Sequence, residues 1–476
     1  MTVDYDLIIV GGAAVGRYAA ARANQLGARV ALIEPPSPNS SLVLSLLTQI
    51  NQALRQQACL QQWGYQLDGT AKWNWSQTLE WAETLAETQA ISIAAPYSLM
   101  QLTAAGVEVM RAKGAFCRQP QLGFMVGNRL LRGRNYLLAP RVEATIPPIE
   151  GLAAIQVATL NSDFRSNFWP TLPRQVLILG SDPRGIELAQ VLNRLGTQVT
   201  LIVSSEQLLP QEDPEAAFLV QAILEAEGVT VLTQTQVSQV RAIDDQIWVQ
   251  VGNRAITTEA MVLATKPHLR LACLNLEAAG VKWQPEGIRV NRKLQTTTSR
   301  IYACGESLGG YVSAALDQHE ADVALHNALF LPTQSVDYSR IPWTLFTDPT
   351  LVRIGLTESQ ARKLYGNDVL VAQQPVQFLT TAQLSNDSSG FLKLIASHKG
   401  EILGAHAIAP QAQEWIGTLA LAMQQPLPLK ALAQLPQPSP TFAELIQQTA
   451  AQLQQQRRRE WQRELLETWF NFRRAR

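Results

Sequence analysis

No cysteine occurs between Met1 and Ala58, and the chain of 476 residues holds only four: Cys59, Cys117, Cys273 and Cys304. None stands in C-x-x-C or C-x-x-x-x-C spacing, so no local redox pair or metal knuckle is written, and a reducing, cytoplasmic compartment is expected. Histidine is as scarce. His268, His319, His326, His398 and His406 form no ligand motif, and no metal site is expected. There is no excess of charge of either sign. Lys+Arg and Asp+Glu are both 39, which gives the whole molecule no field for nucleic acid. No basic segment precedes a long apolar one near Met1, so no signal peptide is expected. No run reaches about 18 apolar residues, so no membrane-spanning helix is expected either.

What is present exceeds a single hydrophobic core and suits several domains. Leu7-Ile8-Ile9-Val10 reads as a buried parallel strand. Gly11-Gly12-Ala13-Ala14-Val15-Gly16 follows, then a helix over Arg17 to Leu26, a stop at Gly27 and a second strand over Arg29 to Ile33. Glu34 ends that strand. This is a βαβ unit with a glycine-rich turn and a terminal acid. Gly11 permits the tight turn and Gly16 allows helix and strand to pack closely. The helix N-terminus offers unpaired N–H groups to a pyrophosphate, and Glu34 can accept from ribose hydroxyls. Ala13 places a methyl group where the middle glycine of such a turn usually stands. A second unit opens at Val176-Leu177-Ile178-Leu179, with Gly180-Ser181-Asp182-Pro183-Arg184-Gly185 at its turn, a helix over Ile186 to Leu195 and a strand over Val199 to Val203.

With these two units in place, the chain resembles the pyridine nucleotide-disulfide oxidoreductases, the family of glutathione reductase, dihydrolipoamide dehydrogenase and mercuric reductase. Leu294-Gln295-Thr296 and Ile301-Tyr302-Ala303-Cys304-Gly305-Glu306 are similar to its second FAD motif. Val336-Asp337-Tyr338, Ile341-Pro342, Phe346-Thr347-Asp348-Pro349, Ile354-Gly355-Leu356-Thr357-Glu358, Gly390-Phe391-Leu392-Lys393 and Ile402-Leu403-Gly404-Ala405-His406 are similar to its dimerisation domain. The ending Trp469-Phe470-Asn471-Phe472-Arg473-Arg474 looks like that of mercuric-reductase-like members from cyanobacteria. The resemblance implies an α/β fold of two Rossmann-like nucleotide-binding domains plus a C-terminal α+β dimerisation domain. Residues 1–155 and 271–334 would form the FAD-binding and central parts, 156–270 a degenerate NAD(P)-binding-like domain, 335–450 the dimerisation domain and 451–476 a basic amphipathic helical tail. It also implies FAD lying on Gly11, Ala13, Gly16 and Glu34, with Ala115 on the adenine side. Gly305 and Glu306 would hold the ribityl–pyrophosphate region, and Ala314 would lie beside the flavin. Ala139-Pro140-Arg141 replaces the family's Ala-Thr-Gly, which leaves Ala139 as the contact there.

Against the family pattern, the chemistry has been stripped out. The two redox cysteines fall on Leu42 and Leu47. The catalytic base of His-Pro-Thr-x-x-Glu is Ser439, although Glu444 survives. The lysine beside the flavin falls on Ile50, while its partner matches Glu187. The second glycine of the nicotinamide turn is Asp182, which with Pro183 makes a good N-cap and first-turn pair. Val203-Ser204-Ser205 carries no ribose acid, and Ala264-Thr265-Lys266-Pro267 lacks the family's arginine. NAD(P)H binding is therefore expected to be weak.

The expected function is that of an FAD-binding oxidoreductase without disulfide chemistry, moving electrons between flavin and a carrier or small acceptor. Ferredoxin, a quinone and a small organic acceptor are the candidates, an apolar acceptor suiting the space lined by Leu42, Leu47 and their neighbours. The other class is an inactive, FAD-binding homodimeric scaffold or redox-responsive binding module. In the tail, Trp461, Leu465 and Trp469 recur at helical spacing beside Leu466 and Phe470, with Arg457, Arg458, Arg459, Arg463, Arg473, Arg474 and Arg476 outnumbering Glu460, Glu464 and Glu467. Two readings stay open: docking on its own dimer, and peripheral attachment to an anionic membrane or an acidic protein.

Overall fold

The computed structural model describes residues 3–12, 14–35, 43–65, 73–91, 97–118, 121–141, 146–160, 169–265, 271–310, 313–457 and 460–474. The chain divides into two compact units, Met1–Leu47, Lys72–Ser204 and Thr235–Asp337 in one, Thr48–Ala71, Ser205–Gln234 and Tyr338–Arg476 in the other.

The first unit is built on parallel sheets. In one, strands Ile301–Ala303, Gly133–Leu138, Tyr5–Val10, Val30–Ile33 and Glu108–Met110 lie side by side in that order, all parallel. Leu7 and Ile9 face helices Ala14–Gln25 and Ala314–Leu329, among Val15, Ala19, Ala23, Ala321 and Ala324. Ile8 and Val10 face the opposite side, among Phe116, Phe124 and Tyr136. Both faces are covered, which is why Leu7–Val10 is apolar throughout instead of alternating. The second sheet joins Gln198–Ile202, Gln175–Leu179, Ala260–Leu263 and Ala158–Thr159 in parallel, with helix Pro183–Arg194 following its central strand. Both βαβ units thus form where the sequence places them, and the α/β expectation holds.

The second unit carries an antiparallel sheet in the order Trp343–Leu345, Thr350–Gly355, Ile402–Ala409, Phe391–Ser397 and Val369–Pro375. Helices Ala412–Gln424 and Glu444–Gln456 bury Trp415, Leu419, Leu445 and Leu453 with Val352, Leu394 and Ala407. The tail forms its own helix, Glu460–Arg474, with residues 465–474 exposed. Among the described residues no helix is long and apolar enough to cross a membrane.

Candidate functional site

The first glycine turn is shaped for close approach. Gly11 has φ +120°, and a Cβ there would lie 2.1 Å from the Ala139 carbonyl oxygen. A Cβ on Gly16 would lie 2.1 Å from the Gly11 carbonyl oxygen. Only glycine fits either position, so the start of helix Ala14–Gln25 presses directly on the strand end. Ala139 is fully buried and donates its N–H to the Val10 carbonyl at 2.8 Å. The structure therefore brings Gly11, Gly16 and Ala139 together. Glu34 joins them, because a Cβ on Gly12 would lie 1.9 Å from its Cγ. Ala13 lies outside the described residues. Ala115 sits half-buried in a separate three-stranded sheet, and Ala314 is the exposed first residue of helix Ala314–Leu329.

Glu34 is already engaged. Arg17 donates to it from Nε at 3.0 Å and from Nη2 at 2.5 Å. The sequence signal for this pair was a basic residue directly after Gly16 opposite an acid at the end of the next strand. The reading from motif alone passed over it.

The second FAD-type motif closes the same place. Gly305 has φ +69°, and a Cβ on it would lie 2.9 Å from Val15 Cγ1 in the first turn of helix Ala14–Gln25. Glu306 follows in the short turn Gly305–Leu308. The Gly305 N–H donates to Glu320 Oε2 at 2.7 Å. Burial, then the charges of Glu306 and Glu320, push the Asp317 carboxyl up to about 7. Neither Asp317 nor Glu320 was singled out from the sequence. Their spacing in the first turns of the helix after Glu306 was the available signal. The donor set of glycine turns and a helix N-terminus fits a dinucleotide pyrophosphate.

The second turn is built differently. Gly180 (φ +128°) and Gly185 keep the close packing, with would-be Cβ atoms 2.1 Å from the Ala264 carbonyl oxygen and 2.5 Å from Ala264 Cβ. Asp182 caps helix Pro183–Arg194 as expected, accepting from the Arg184 N–H at 3.0 Å. Arg184 then folds back on it, Nε to Oδ1 at 3.1 Å and Nη2 to Oδ2 at 2.8 Å. The carboxylates of Asp182, Glu306 and Glu187 hold the Arg184 guanidinium more firmly charged against the opposing effect of burial. Arg184 is thus the second residue that motif reading missed. Lys266 and Pro267 lie outside the described residues.

Leu42 lies outside the described residues. Leu47 and Ile50 are buried in helix Val43–Gln62, 1% and 7% exposed, so Leu47 packs into the core instead of lining an open space. None of the four cysteines is in a disulfide. Cys59 lies 3.7 Å from the Ser385 carbonyl oxygen. Glu444 accepts from the Thr441 N–H at 2.9 Å and so closes the start of its own helix. Burial depresses His406 to about 4, leaving it a neutral core histidine against the Leu356 carbonyl at 3.2 Å.

Comparison with known proteins agrees with this geometry. A family model described as pyridine nucleotide-disulphide oxidoreductase matches residues 5–321, and its dimerisation-domain model matches 341–450. A mercuric reductase of Staphylococcus aureus is 27% identical over 456 residues, covering 93% of this chain and 81% of that protein. A dihydrolipoyl dehydrogenase of Bacillus subtilis is 26% identical, covering 94% and 98%. The solved Cu(II) complex of the HOCl-induced flavoprotein disulfide reductase RclA from Escherichia coli superposes with a TM-score of 0.79. It is 22% identical and covers 95% of this chain and 100% of that one, a likeness of fold.

Proposed function

The chain belongs to the pyridine nucleotide-disulphide oxidoreductase family, and on that footing we propose that it is an FAD-binding oxidoreductase that has left disulfide chemistry. One observation carries this: no thiol precedes Cys59, so no cysteine stands where the family's redox pair would. FAD would be held by the Gly11–Gly16 turn, Ala139, Gly305 and Glu306, with Ala13, Glu34, Ala115 and Ala314 as the further contacts. Bound there, the flavin supplies the capacity to take up and pass on electrons. The dimerisation domain supports a homodimer. NADH and NADPH are disfavoured by the Asp182 cap, which leaves ferredoxin, a quinone or a small organic acceptor as the electron partner; the scarcity of cysteine fits a cytoplasmic location. The Arg17–Glu34 pair favours the second reading, an inactive FAD-binding dimeric scaffold, because the acid for the ribose is already occupied.

One experiment separates these. The purified protein, supplied with FAD, is reduced anaerobically with NADH, NADPH or reduced ferredoxin, then mixed with a quinone. Rapid reduction by ferredoxin or reoxidation by quinone is the expected result, without thiolate–flavin charge-transfer absorbance. A bound flavin that responds to nothing supports the scaffold. Colourless folded protein overturns the flavin reading, and charge-transfer absorbance overturns the loss of disulfide chemistry.

The tail extends the same proposal to a peripheral contact with an anionic membrane. Leu465, Leu466, Trp469, Phe470 and Phe472 are all exposed beside Arg473 and Arg474. Such a helix lies in the headgroup region with its aromatic side down. The full chain should sediment with phosphatidylglycerol-containing vesicles several-fold more than a chain ending at Arg457. Equal sedimentation of both overturns the contact. Loss of the dimer on truncation, without vesicle binding by the full chain, assigns the tail to its own dimer.

A further inference from the structure

Three carboxyl groups meet beside the first glycine turn. Glu306 stands in the turn Gly305–Leu308, and Glu320 reaches back from helix Ala314–Leu329 to the Gly305 N–H at 2.7 Å. Asp317, one turn earlier on that helix, lies so that a Cβ on Gly305 would be 3.6 Å from its carboxyl carbon and 2.9 Å from Val15 Cγ1. Asp317, Gly305 and the first turn of helix Ala14–Gln25 therefore share one place. That helix N-terminus is where the cofactor's pyrophosphate would arrive.

Resting on the flavin reading above, we propose that Asp317 is a further residue of the flavin cradle, carrying a proton while FAD is bound and loosening the cofactor when it ionises. The other charged groups at this point do not relieve it. Glu306 and Glu320 are both acids, and their charges act on Asp317 in the same direction as burial. The Cys304 thiol, at the end of strand Ile301–Ala303, is held protonated by burial. On the first helix, Arg17 is joined to Glu34. Arg184, from the second nucleotide turn, acts on Glu306. Asp322, further along the Asp317 helix, is joined to Tyr18 and Arg22. A dinucleotide adds two more negative charges. With no cation assigned to it among the described residues, Asp317 is the group that gives way, and it does so by holding a proton near neutral pH. Glu320 is held in its acceptor role by the Gly305 N–H.

The sign follows from linkage. If the bound form carries one proton more than the free form, FAD affinity is level below the free-state pKa of about 7. Above it, affinity falls about tenfold for each pH unit. The purified holoprotein, diluted at pH 6.5, 7.5 and 8.5, releases FAD that is read by its fluorescence. The dissociation constant should rise about tenfold between the last two. Asp317→Asn, which keeps shape without the charge, should flatten this profile and bind more tightly at pH 8.5, while Asp317→Glu should keep the slope. A level profile for the natural protein, or an unchanged slope in Asp317→Asn, overturns the proposal while leaving the flavin reading intact. Absence of FAD binding at every pH, by natural protein and variants alike with native circular dichroism, overturns the flavin reading and this inference with it.

Discussion

Replacing Lys393 by methionine is expected to remove about 3–5 kcal/mol of stability from the second unit, the largest single-residue loss foreseen in this protein. The Lys393 ammonium is 3.0 Å from Asp213 Oδ1, 3.0 Å from Glu215 Oε2 and 3.5 Å from Glu358 Oε2. The lysine and Asp213 side chains are 3% and 2% exposed, so neither is solvated by water. Glu215, at 58%, is in water and adds little. Removing the cation leaves Asp213 charged, buried and next to Glu212, whose carboxyl burial pushes up to about 7. Asp213 also caps helix Pro214–Glu227, so its loss of position frays that helix start. Urea unfolding of the two proteins at pH 7.5 measures the difference as a lower midpoint at unchanged slope. Adding Asp213→Asn to the methionine variant should recover part of the loss, because the orphaned charge is then gone. A change below about 1 kcal/mol would mean that water reaches the cluster and screens it.

This cluster also marks the limit of what the sequence discloses. Both βαβ units were legible because strand, glycine turn, helix and second strand are consecutive, and local order is what motifs encode. Gly11 and Gly180 could be placed in positive φ from the turn alone, and Asp182 as a cap from Asp followed by Pro. Lys393 and Asp213 are separated by 180 positions, and no local pattern joins them. Asp317 and Glu306 are close in sequence, and the spacing of that acid from the start of helix Ala314–Leu329 was a signal that the glycine motif does not carry. Arg17 and Arg184 are different. Each stood inside a recognised motif, but the motif describes what a ligand needs and says nothing of neighbouring side chains that satisfy the same groups. Leu47 shows the converse error. A residue replacing a cysteine was read as lining a space, whereas a large apolar side chain filled the core.

The two glycine turns now differ in a way that bears on function. The first keeps, beside the start of helix Ala14–Gln25, glycines that a Cβ would clash with. The second keeps the glycines but supplies its own carboxylate and its own arginine to that carboxylate. One is shaped to receive an anion, and the other already contains one.

Wild-type protein is accordingly expected to bind NADH and NADPH weakly, with Asp182→Gly restoring part of the affinity. Two like charges about 4 Å apart repel by roughly 1 kcal/mol in water and about 4 at an effective dielectric near 20. Arg184, bonded to the Asp182 carboxylate at 2.8 and 3.1 Å, offsets part of that charge. The expected penalty then falls in the lower part of the range, about 1–2.5 kcal/mol, which is roughly five- to seventyfold in affinity. Asp182→Gly removes the repulsion and releases the guanidinium at the helix start, where it attracts a pyrophosphate. Arg184→Ala alone should act oppositely, leaving the carboxylate uncompensated and weakening any residual binding. The double variant should fall between the two. Glycine is an acceptable cap, but the charge-assisted bonds to Arg184 are lost, so Asp182→Gly should also cost about 1–2 kcal/mol of stability. Full recovery is not expected, since Ser204 and Ser205, not an acid, directly follow Val203 at the strand end where the ribose hydroxyls would be taken. Titration calorimetry of the intact holoprotein and its three variants reads all four affinities. Micromolar binding by the wild type, or equal binding by wild type and Asp182→Gly, would show that the capped turn does not exclude the nucleotide and would make nicotinamide the electron donor.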